Sequence, residues 1–245
     1  MIVLGLTGSI GMGKTVAARN FRALGAAVFE ADAEVHRLFA PGGRAVGPVG
    51  EAFPECFCDT PRGPAVDRAA LGKQVFGDAR ALARLEAIVH PLVRQAEGEF
   101  LRRARRRRCR LAVLDIPLLF ETGGTDHCDA VAVVHAPVNV QRGRVLRRQG
   151  MTAARFADIL SHQMSSQEKC RRADFIIPTG LGRRTGYRAV QRIVCELART
   201  DFRELASSVP RLASREIGTP SRSRARSRAP RPWRRPVVMN CAIES

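Results

Sequence analysis

The chain has 245 residues, of which 45% are hydrophobic, enough for one sizeable buried core with a smaller cap. No apolar run approaches the roughly 20 residues of a membrane span, and the N-terminus lacks the basic segment of a secretory signal, so we expect a cytoplasmic protein without a membrane partner. The net charge of +18 favours an anionic partner, such as a polyphosphate or a nucleic acid, and the seven cysteines are expected to be reduced thiols.

The first 32 residues have the pattern of a strand, a glycine-rich loop, a helix and a second strand. The apolar run 2–7 predicts a buried strand, and 15–24 predict a helix with Gly25 as its C-terminal cap. Residues 26–32 predict a second strand with an acidic end. Such a βαβ unit is typical of an α/β fold with a parallel sheet.

The rest of the chain continues this alternation as far as about residue 200. We predict a helix at 33–40, a loop-rich interval at 41–64 and mostly helix over 67–108, with a break at His90-Pro91. A central strand is expected within 111–120, ending near Asp115, and another strand at 129–136. Helices at 138–149 and 152–169, a last strand at 173–180 and a closing helix at 186–198 complete the pattern. The Arg/Ser/Pro-rich tail, residues 206–245, is predicted to be disordered.

The loop "GSIGMGKT" fits the phosphate-binding pattern G-x-x-x-x-G-K-[ST] in full. Its glycines let backbone amides turn toward phosphate oxygens, and the following helix adds its positive N-terminal end. Lys14, one of only three lysines in an arginine-rich chain, would reach the β- and γ-phosphates of ATP, and the Thr15 hydroxyl would ligate Mg²⁺. A dinucleotide fingerprint is excluded because its frame ends on Val16. The residues predicted to contact the nucleotide in this loop are Gly8, Gly11, Met12, Gly13, Lys14, Thr15 and Val16.

Five further side chains are candidates for chemistry. Asp32, near the end of the second strand, is either a base that accepts a proton from an acceptor hydroxyl or a helix N-cap, and Glu30 is a weaker second carboxylate. Asp115 is equally a Mg²⁺-water carboxylate or a structural cap on the turn that follows it. Arg144 and Arg148, four residues apart, either close over the triphosphate or form a solvated basic face. No guanine-reading N-K-x-D motif follows, so a small-molecule kinase is the leading class.

Several ordered segments closely resemble those of dephospho-coenzyme A kinases, over about residues 2–200. They include "GLTGSIGMGKT", "LEAIVHPLVR" (85–94), "LDIPLLFE" (114–121) and "QRGRVLRRQGMT" (141–152). Glu30 stands where the family has the first acid of D-A-D. The segment "PTG" (178–180) stands where the family has a "DNSG"-like segment.

The resemblance implies a P-loop NTPase-type three-layer sandwich with a parallel central sheet. The kinase domain would span 1–205, with a helical substrate domain at about 33–108 and a small helical lid at about 138–170. The activity implied is ATP-dependent phosphorylation of the ribose 3′-hydroxyl of dephospho-coenzyme A, the final step of coenzyme A synthesis.

The resemblance also assigns roles to residues. Asp32 would be the base, acting with Lys14 and Arg144, while Arg144, Arg148 and Gln141 would belong to the lid. The implied substrate-binding residues are Asp32, His90, Arg94 and Asp115. Two alternatives remain open: a P-loop kinase for another nucleoside or small acceptor and, as a minor one, a nucleic-acid-binding protein acting through its basic tail. Aromatic residues are only 5% of the chain, so no base-stacking platform supports nucleic-acid binding beyond nonspecific contact by the tail.

Overall fold

The computed structural model describes residues 1–75 and 77–199. The described part of the chain contains both strands and helices. In chain order the elements are β1 (Ile2–Thr7), α1 (Lys14–Ala23), β2 (Ala27–Glu30), α2 (Ala31–Phe39), α3 (Val46–Ala52), β3 (Phe57–Thr60), β4 (Gly63–Val66), α4 (Arg68–Val75), α5 (Ala79–Arg106), β5 (Leu111–Asp115), β6 (Ala130–His135), α6 (Val138–Leu146), α7 (Ala153–Ser161), α8 (Ser166–Arg172), β7 (Phe175–Pro178) and α9 (Arg183–Arg199).

Five strands form a parallel sheet in the order β2-β5-β1-β6-β7. All five residues of β5 are buried, as expected for a parallel strand covered on both faces. Because the strands are parallel, their carboxyl ends meet at one edge of the sheet, where Glu30 lies in register with Asp115. This is the edge at which open α/β sheets bind their ligands.

Helices cover both faces of the sheet, which gives three layers. On one face, α1 and α9 bury Phe21 and Val190 against the strands. On the other face, α5 packs Ala96 near Phe29 of β2, and the rings of Phe29 and Phe100 lie 5.5 Å apart between centroids. The predicted three-layer α/β sandwich with a parallel central sheet is therefore confirmed.

The chain between β2 and β5 forms a second core of its own. The helices α2, α3 and α4 and the first half of α5 bury Val35, Val49, Leu71 and Val89 together, and β3 and β4 pair as an antiparallel hairpin beside them. The loop-rich interval predicted for 41–64 is therefore wrong. The sequence of α3, "VGPVGEA", has low helix propensity, with each glycine costing about 1 kcal/mol. Burying a valine side chain stabilises the fold by roughly 1.5–3 kcal/mol, so the burial of Val46 and Val49 outweighs the low helix propensity of this segment.

The predicted helix break at His90-Pro91 is also wrong. Helix α5 runs for 28 residues and contains Pro91 in its interior. An interior proline costs about 3 kcal/mol, but the buried residues Val89 and Ala96 hold the helix against its neighbours on both sides of it. The observed break lies earlier, where Gly77 has φ +83° and the Asp78 side chain accepts hydrogen bonds from two backbone amides that begin α5.

Two smaller boundaries differ from the predictions. Strand β2 ends at Glu30, so Asp32 lies in the first turn of α2 and not in a strand. The helix predicted at 152–169 is two helices, because the Ser165 side chain caps a new helix, α8. The tail at 206–245 lies outside the described residues. Among the helices of the described part, none is long and apolar enough to cross a membrane.

Candidate active site

The glycine loop joins the end of β1 to the start of α1, as its sequence predicts. Helix α1 begins at Lys14, directly after Gly13, whose φ of +90° lies in the left-handed region that favours glycine. Gly11 has φ +75°, and a Cβ atom there would collide with the Val145 side chain of α6. Glycine is therefore required at both positions, and the positive N-terminal end of α1 opens onto the space above the loop.

Lys14 is paired with the carboxylate at the end of the neighbouring strand. Its Nζ lies 2.6 Å from Asp115 Oδ1, and the Asp115 side chain is 6% exposed. Burial raises the pKa of Asp115, the Lys14 ammonium opposes that rise, and the charges of Asp32 and Glu30 add to it. Among the hydrogen bonds of the described residues, the Asp115 carboxylate accepts from Lys14 and does not cap the turn that follows. The structural-cap alternative for Asp115 is therefore wrong.

Asp32 lies in the first turn of α2, half-buried, on the wall of the cleft that contains the phosphate loop. It does not cap the helix, because Glu30 occupies the N-cap position and makes no side-chain capping bond. The N-cap alternative for Asp32 is therefore wrong. His36 follows one helical turn later, and its ring nitrogens lie 2.7 and 2.9 Å from Arg68 Nη1, so polar groups extend from Asp32 along α2.

The cleft above the phosphate loop has a volume of about 920 Å³ and is strongly cationic. Residues 8–17 form its floor, Asp32 lies on one side, and α6, α7 and the segment between them form the cover. Among the described residues that line it there are five cations and one carboxylate. The cations are Lys14, Arg144, Arg148, Arg155 and Arg183. A cleft of this size and charge suits a nucleoside triphosphate.

Helix α6 is fastened to the phosphate loop by two of the side chains singled out in the sequence. Buried Gln141 donates a hydrogen bond from Nε2 to the Ile10 carbonyl at 2.7 Å. Arg144 donates to Thr179 at both its hydroxyl and its carbonyl, at 3.2 and 2.7 Å. Arg148 lies beyond the end of α6 and also lines the cleft, so both arginines face the space above the loop. Arg144 is therefore not part of a fully solvated face, whereas both interpretations stay open for Arg148, which is exposed.

His90 and Arg94 lie on α5, one helical turn apart, and do not line the cleft described above. Burial lowers the pKa of His90, and the neighbouring Arg94 charge lowers it further. One turn earlier on the same helix, Glu86 is 4% exposed, and its Oε1 atom has no hydrogen-bond partner among the described residues. These groups belong to the helical unit between β2 and β5 and not to the phosphate loop.

The oxygen donors of the cleft fit a magnesium ion that arrives with a nucleotide. The Thr15 hydroxyl is exposed beside Lys14, and Asp32 supplies a carboxylate in the same cleft. No group of three or more His, Cys, Asp or Glu side chains that could hold a metal occurs in the described residues. Mg²⁺ is commonly bound through one or two protein oxygens, substrate phosphates and waters, so this sparse donor set is sufficient.

Sequence reasoning missed two interactions that hold the site together. Thr179 contacts both the phosphate loop and Arg144, although its segment was noted only as a difference from a family pattern. Lys169, fully buried on α8, forms an ion pair of 2.8 Å with Glu121 and donates at 3.4 Å to the Pro117 carbonyl. The sequence signal that could have found Lys169 is the rarity of lysine in this chain, which makes each of the three lysines a candidate for a specific role.

A family model described as dephospho-CoA kinase matches residues 2–181. The chain belongs to the dephospho-CoA kinase family. Curated members of the family include the dephospho-CoA kinase of Paramagnetospirillum magneticum, which is 60% identical over 169 residues, covering 69% of this chain and 78% of that protein. The dephospho-CoA kinase of Mesorhizobium japonicum is 52% identical over 197 residues, covering 80% of this chain and 97% of that protein.

Solved structures agree with this family fold. A protein from Thermus thermophilus is 31% identical and superimposes with a TM-score of 0.69, covering 81% of this chain and 98% of that chain. The dephospho-CoA kinase from Campylobacter jejuni, 21% identical, has a TM-score of 0.57 over 80% of this chain and 96% of that chain, which supports the fold alone.

Proposed function

We propose that this protein transfers the γ-phosphoryl group of ATP to the ribose 3′-hydroxyl of dephospho-coenzyme A in the cytoplasm, releasing coenzyme A and ADP. The observation that carries the proposal is that the phosphate loop and the Asp32 carboxylate line one cationic cleft in a member of the dephospho-CoA kinase family. A cleft that supplies both phosphate-binding groups and a carboxylate has the parts that phosphoryl transfer to a hydroxyl requires.

The nucleotide side of the cleft consists of the loop, its lysine and the arginines. Backbone amides of the loop and the Lys14 ammonium bind the phosphates, and the Asp115 carboxylate, 2.6 Å from Lys14, sets the position of that ammonium. The Thr15 hydroxyl would hold the Mg²⁺ ion. When bound, that ion neutralises charge on the β- and γ-phosphate oxygens. The other loop contacts to the nucleotide are the predicted ones, from Gly8 to Val16.

The acceptor side begins at Asp32. This carboxylate orients the 3′-hydroxyl and accepts its proton as the oxygen attacks the γ-phosphorus, after which ADP leaves in line. The helical unit that carries Asp32 also carries His90 and Arg94, which we assign to the dephospho-coenzyme A site. Residues 33–108 thus act as the acceptor-binding part of a kinase domain that spans 1–205.

The segment 138–170 acts as the lid. Its arginines, Arg144 and Arg148, lie over the loop and stabilise the charge that develops on the transferred group. Closure of this segment excludes water, which would otherwise compete with the ribose hydroxyl for the phosphoryl group.

Incubation with Mg-ATP and dephospho-coenzyme A tests the function directly. Mass spectrometry should find one added phosphoryl group on the acceptor together with ADP, and Lys14→Met should abolish the product. The matched control is Arg19→Met, an exposed residue of α1 outside the cleft lining, which should retain the activity. Product only with another nucleoside or small acceptor, offered in parallel, would refute the assigned substrate and leave a P-loop kinase of different specificity.

A further inference from the structure

Thr179, the residue that follows β7, lies at a junction between the phosphate loop and the lid. Its Oγ1 donates to the Met12 carbonyl of the loop at 2.6 Å, and its backbone N–H donates to the His135 carbonyl at the end of β6, 2.8 Å away. The side chain also packs against the loop, because a Cβ atom placed on Gly13 would lie 3.3 Å from Thr179 Cβ and Oγ1. The sheet therefore holds this residue rigidly against the loop.

The Thr179 hydroxyl donates its one hydrogen bond to a backbone carbonyl. The carbonyl oxygens near Thr179 Oγ1 are those of Met12 at 2.6 Å and His135 at 3.3 Å, and the shorter distance identifies Met12 as the acceptor. A hydroxyl has one proton and two lone pairs, so toward any third group it can only accept. That third group is Arg144, whose Nη1 lies 3.2 Å from the same oxygen.

Arg144 is therefore held from two directions by a single residue. Its Nη1 donates to the Thr179 hydroxyl, and its Nη2 donates to the Thr179 carbonyl at 2.7 Å. These two contacts fix both the position and the plane of the guanidinium above the cleft, because a planar group bound at two nitrogens cannot rotate freely. A third, longer contact of 3.5 Å reaches the Gly11 carbonyl of the phosphate loop.

We propose that Thr179 is a positioning residue for the kinase reaction, whose hydroxyl links the phosphate loop to Arg144 and holds that guanidinium in place for the triphosphate. The inference rests on the proposed function only in taking ATP as the ligand of the cleft. Thr179 acts through Arg144, since its own proton is used on Met12. Its predicted effect is on the nucleotide and not on the acceptor.

The test compares two conservative substitutions in the full-length chain. Thr179→Val keeps the shape and the backbone carbonyl bond to Arg144 but removes the hydroxyl, whereas Thr179→Ser retains it. We expect Thr179→Val to weaken Mg-ATP binding by about tenfold, measured by calorimetry without acceptor, because one bond to a charged group is lost. In Thr179→Val, kcat/KM for ATP should fall by a similar factor, while the KM for dephospho-coenzyme A should stay within twofold of the wild-type value. In Thr179→Ser, the affinity for Mg-ATP and both kinetic constants should stay close to those of the wild type.

A double-variant comparison separates positioning of Arg144 from a general structural role. In an Arg144→Met background, Thr179→Val should weaken ATP binding by less than about twofold, since the group it positions is gone. The matched control is Thr122→Val, which also removes one hydroxyl bond to a carbonyl, 2.8 Å long to Leu118, outside the cleft lining. This control should leave ATP binding unchanged.

Three results would overturn the inference. They are a loss below about twofold in Thr179→Val, the same tenfold loss in the Arg144→Met background, or an equal loss in Thr179→Ser. If Thr179→Val unfolds, ATP binding is measured on Thr179→Ala, which also lacks the hydroxyl but places no methyl group against the Met12 carbonyl. Because ATP binding is measured without acceptor, failure here is distinct from failure of the proposed function, in which the wild-type chain binds ATP but makes no product from dephospho-coenzyme A.

Discussion

The pairing of Lys14 with Asp115 and the placement of Asp32 set the electrostatics of the cleft. A buried carboxylate, a lysine and a second carboxylate lie close enough for their charges to influence one another. Burial raises the pKa of Asp115, Lys14 opposes that rise, and the charge of Asp32 adds to it. Asp115 is occupied by Lys14, whereas Asp32 faces the cleft. This division supports the proposal that Asp32 is the carboxylate that meets the acceptor hydroxyl.

Substituting Asp32 tests its assignment as the base. Asp32→Asn keeps the size of the side chain but cannot accept a proton, so kcat should fall by about 10²-fold or more while ATP affinity stays within about threefold. Steady-state kinetics and an ATP titration measure both. Asp126→Asn, a change at an exposed carboxylate in a short 3-10 helix outside the cleft lining, serves as the control. Turnover of Asp32→Asn within threefold of the wild type would show that Asp32 is not the base.

Glu86 makes the stability of the molecule depend on pH. Burial raises the pKa of Glu86 to about 7, above its usual value near 4.3 in an unfolded chain. Between those values the folded state binds more protons than the unfolded state, so the free energy of unfolding decreases as the pH rises through this window. The contribution is favourable at low pH and is lost by about pH 8.

Glu86→Gln removes this titration. The variant should have a free energy of unfolding about 2 kcal/mol above that of the wild type at pH 8, and the difference should vanish near pH 4.5. Urea unfolding at both pH values measures it. Glu51→Gln, the same change at an exposed position, should have equal effects at the two pH values. An equal effect of Glu86→Gln at both pH values would contradict the assignment.

Local sequence predicted the residues of the phosphate loop because their chemistry and spacing are contained within eight positions. It could not predict Thr179, because the Met12 carbonyl that it contacts lies 167 residues earlier in the chain. Asp115 was singled out by its place after an apolar strand, but its bond to Lys14 depends on the strand order, which local patterns do not encode. The roles assigned to His90 and Arg94 stay predictions.

At the scale of elements, helix α8 is tied to the turn after β5 by the buried Lys169–Glu121 pair. Glu121 also accepts a hydrogen bond from the Met164 amide at 2.9 Å, and Lys169 reaches the Pro117 carbonyl beside the cleft. The neighbouring Gln163 side chain accepts from the Ile10 amide of the phosphate loop at 3.2 Å. The junction between α7 and α8 is thus anchored to both sides of the site.

Removing only one partner of the Lys169–Glu121 ion pair should destabilise the fold. Lys169→Met should lower the free energy of unfolding by about 3 kcal/mol, because it leaves the Glu121 carboxylate buried without its cation. Adding Glu121→Gln should recover most of the loss, since no buried charge remains. Urea unfolding of the two variants measures the effect. Arg172→Met, which breaks an exposed pair on the same helix, should cost much less. No recovery in the double variant would contradict this account.

Helix and strand positions were predictable where the apolar pattern is strong, as in β1, β5 and β6. The errors fall where packing overrides local preference. Helix α5 continues through Pro91, and α3 forms from a sequence with two glycines and a proline, because both elements bury side chains in the second core. Neither outcome follows from propensity alone.

At the scale of the whole molecule, the described cleft and the family match both end before the tail. The residues that line the cleft extend to Gly186, α9 ends at Arg199, and the family model matches as far as residue 181. The α/β fold with a parallel sheet was predictable from the βαβ pattern, whereas the three-layer sandwich was implied by the family resemblance. The strand order was not predictable, because it depends on contacts between distant segments.

A chain cut after residue 205 should therefore keep its kinase activity. We expect kcat within about twofold of the full-length value, because none of the described residues that line the cleft is removed. Any binding to DNA or RNA should be salt-dependent and should be lost with the nine arginines of residues 206–245. Initial rates and a fluorescence titration at two salt concentrations measure both properties. Loss of kinase activity on truncation would show that the catalytic unit extends beyond residue 205.

The position of the transferred phosphate tests the central claim most directly. After turnover of dephospho-coenzyme A with Mg-ATP, a ³¹P–¹H correlation spectrum of the isolated product identifies the carbon that bears the new phosphate. We predict a monoester coupled to the ribose H3′ proton in the wild-type reaction and no such signal with Lys14→Met. A phosphate on the 2′-hydroxyl or on the pantetheine arm, or no phosphate on this acceptor, would contradict it.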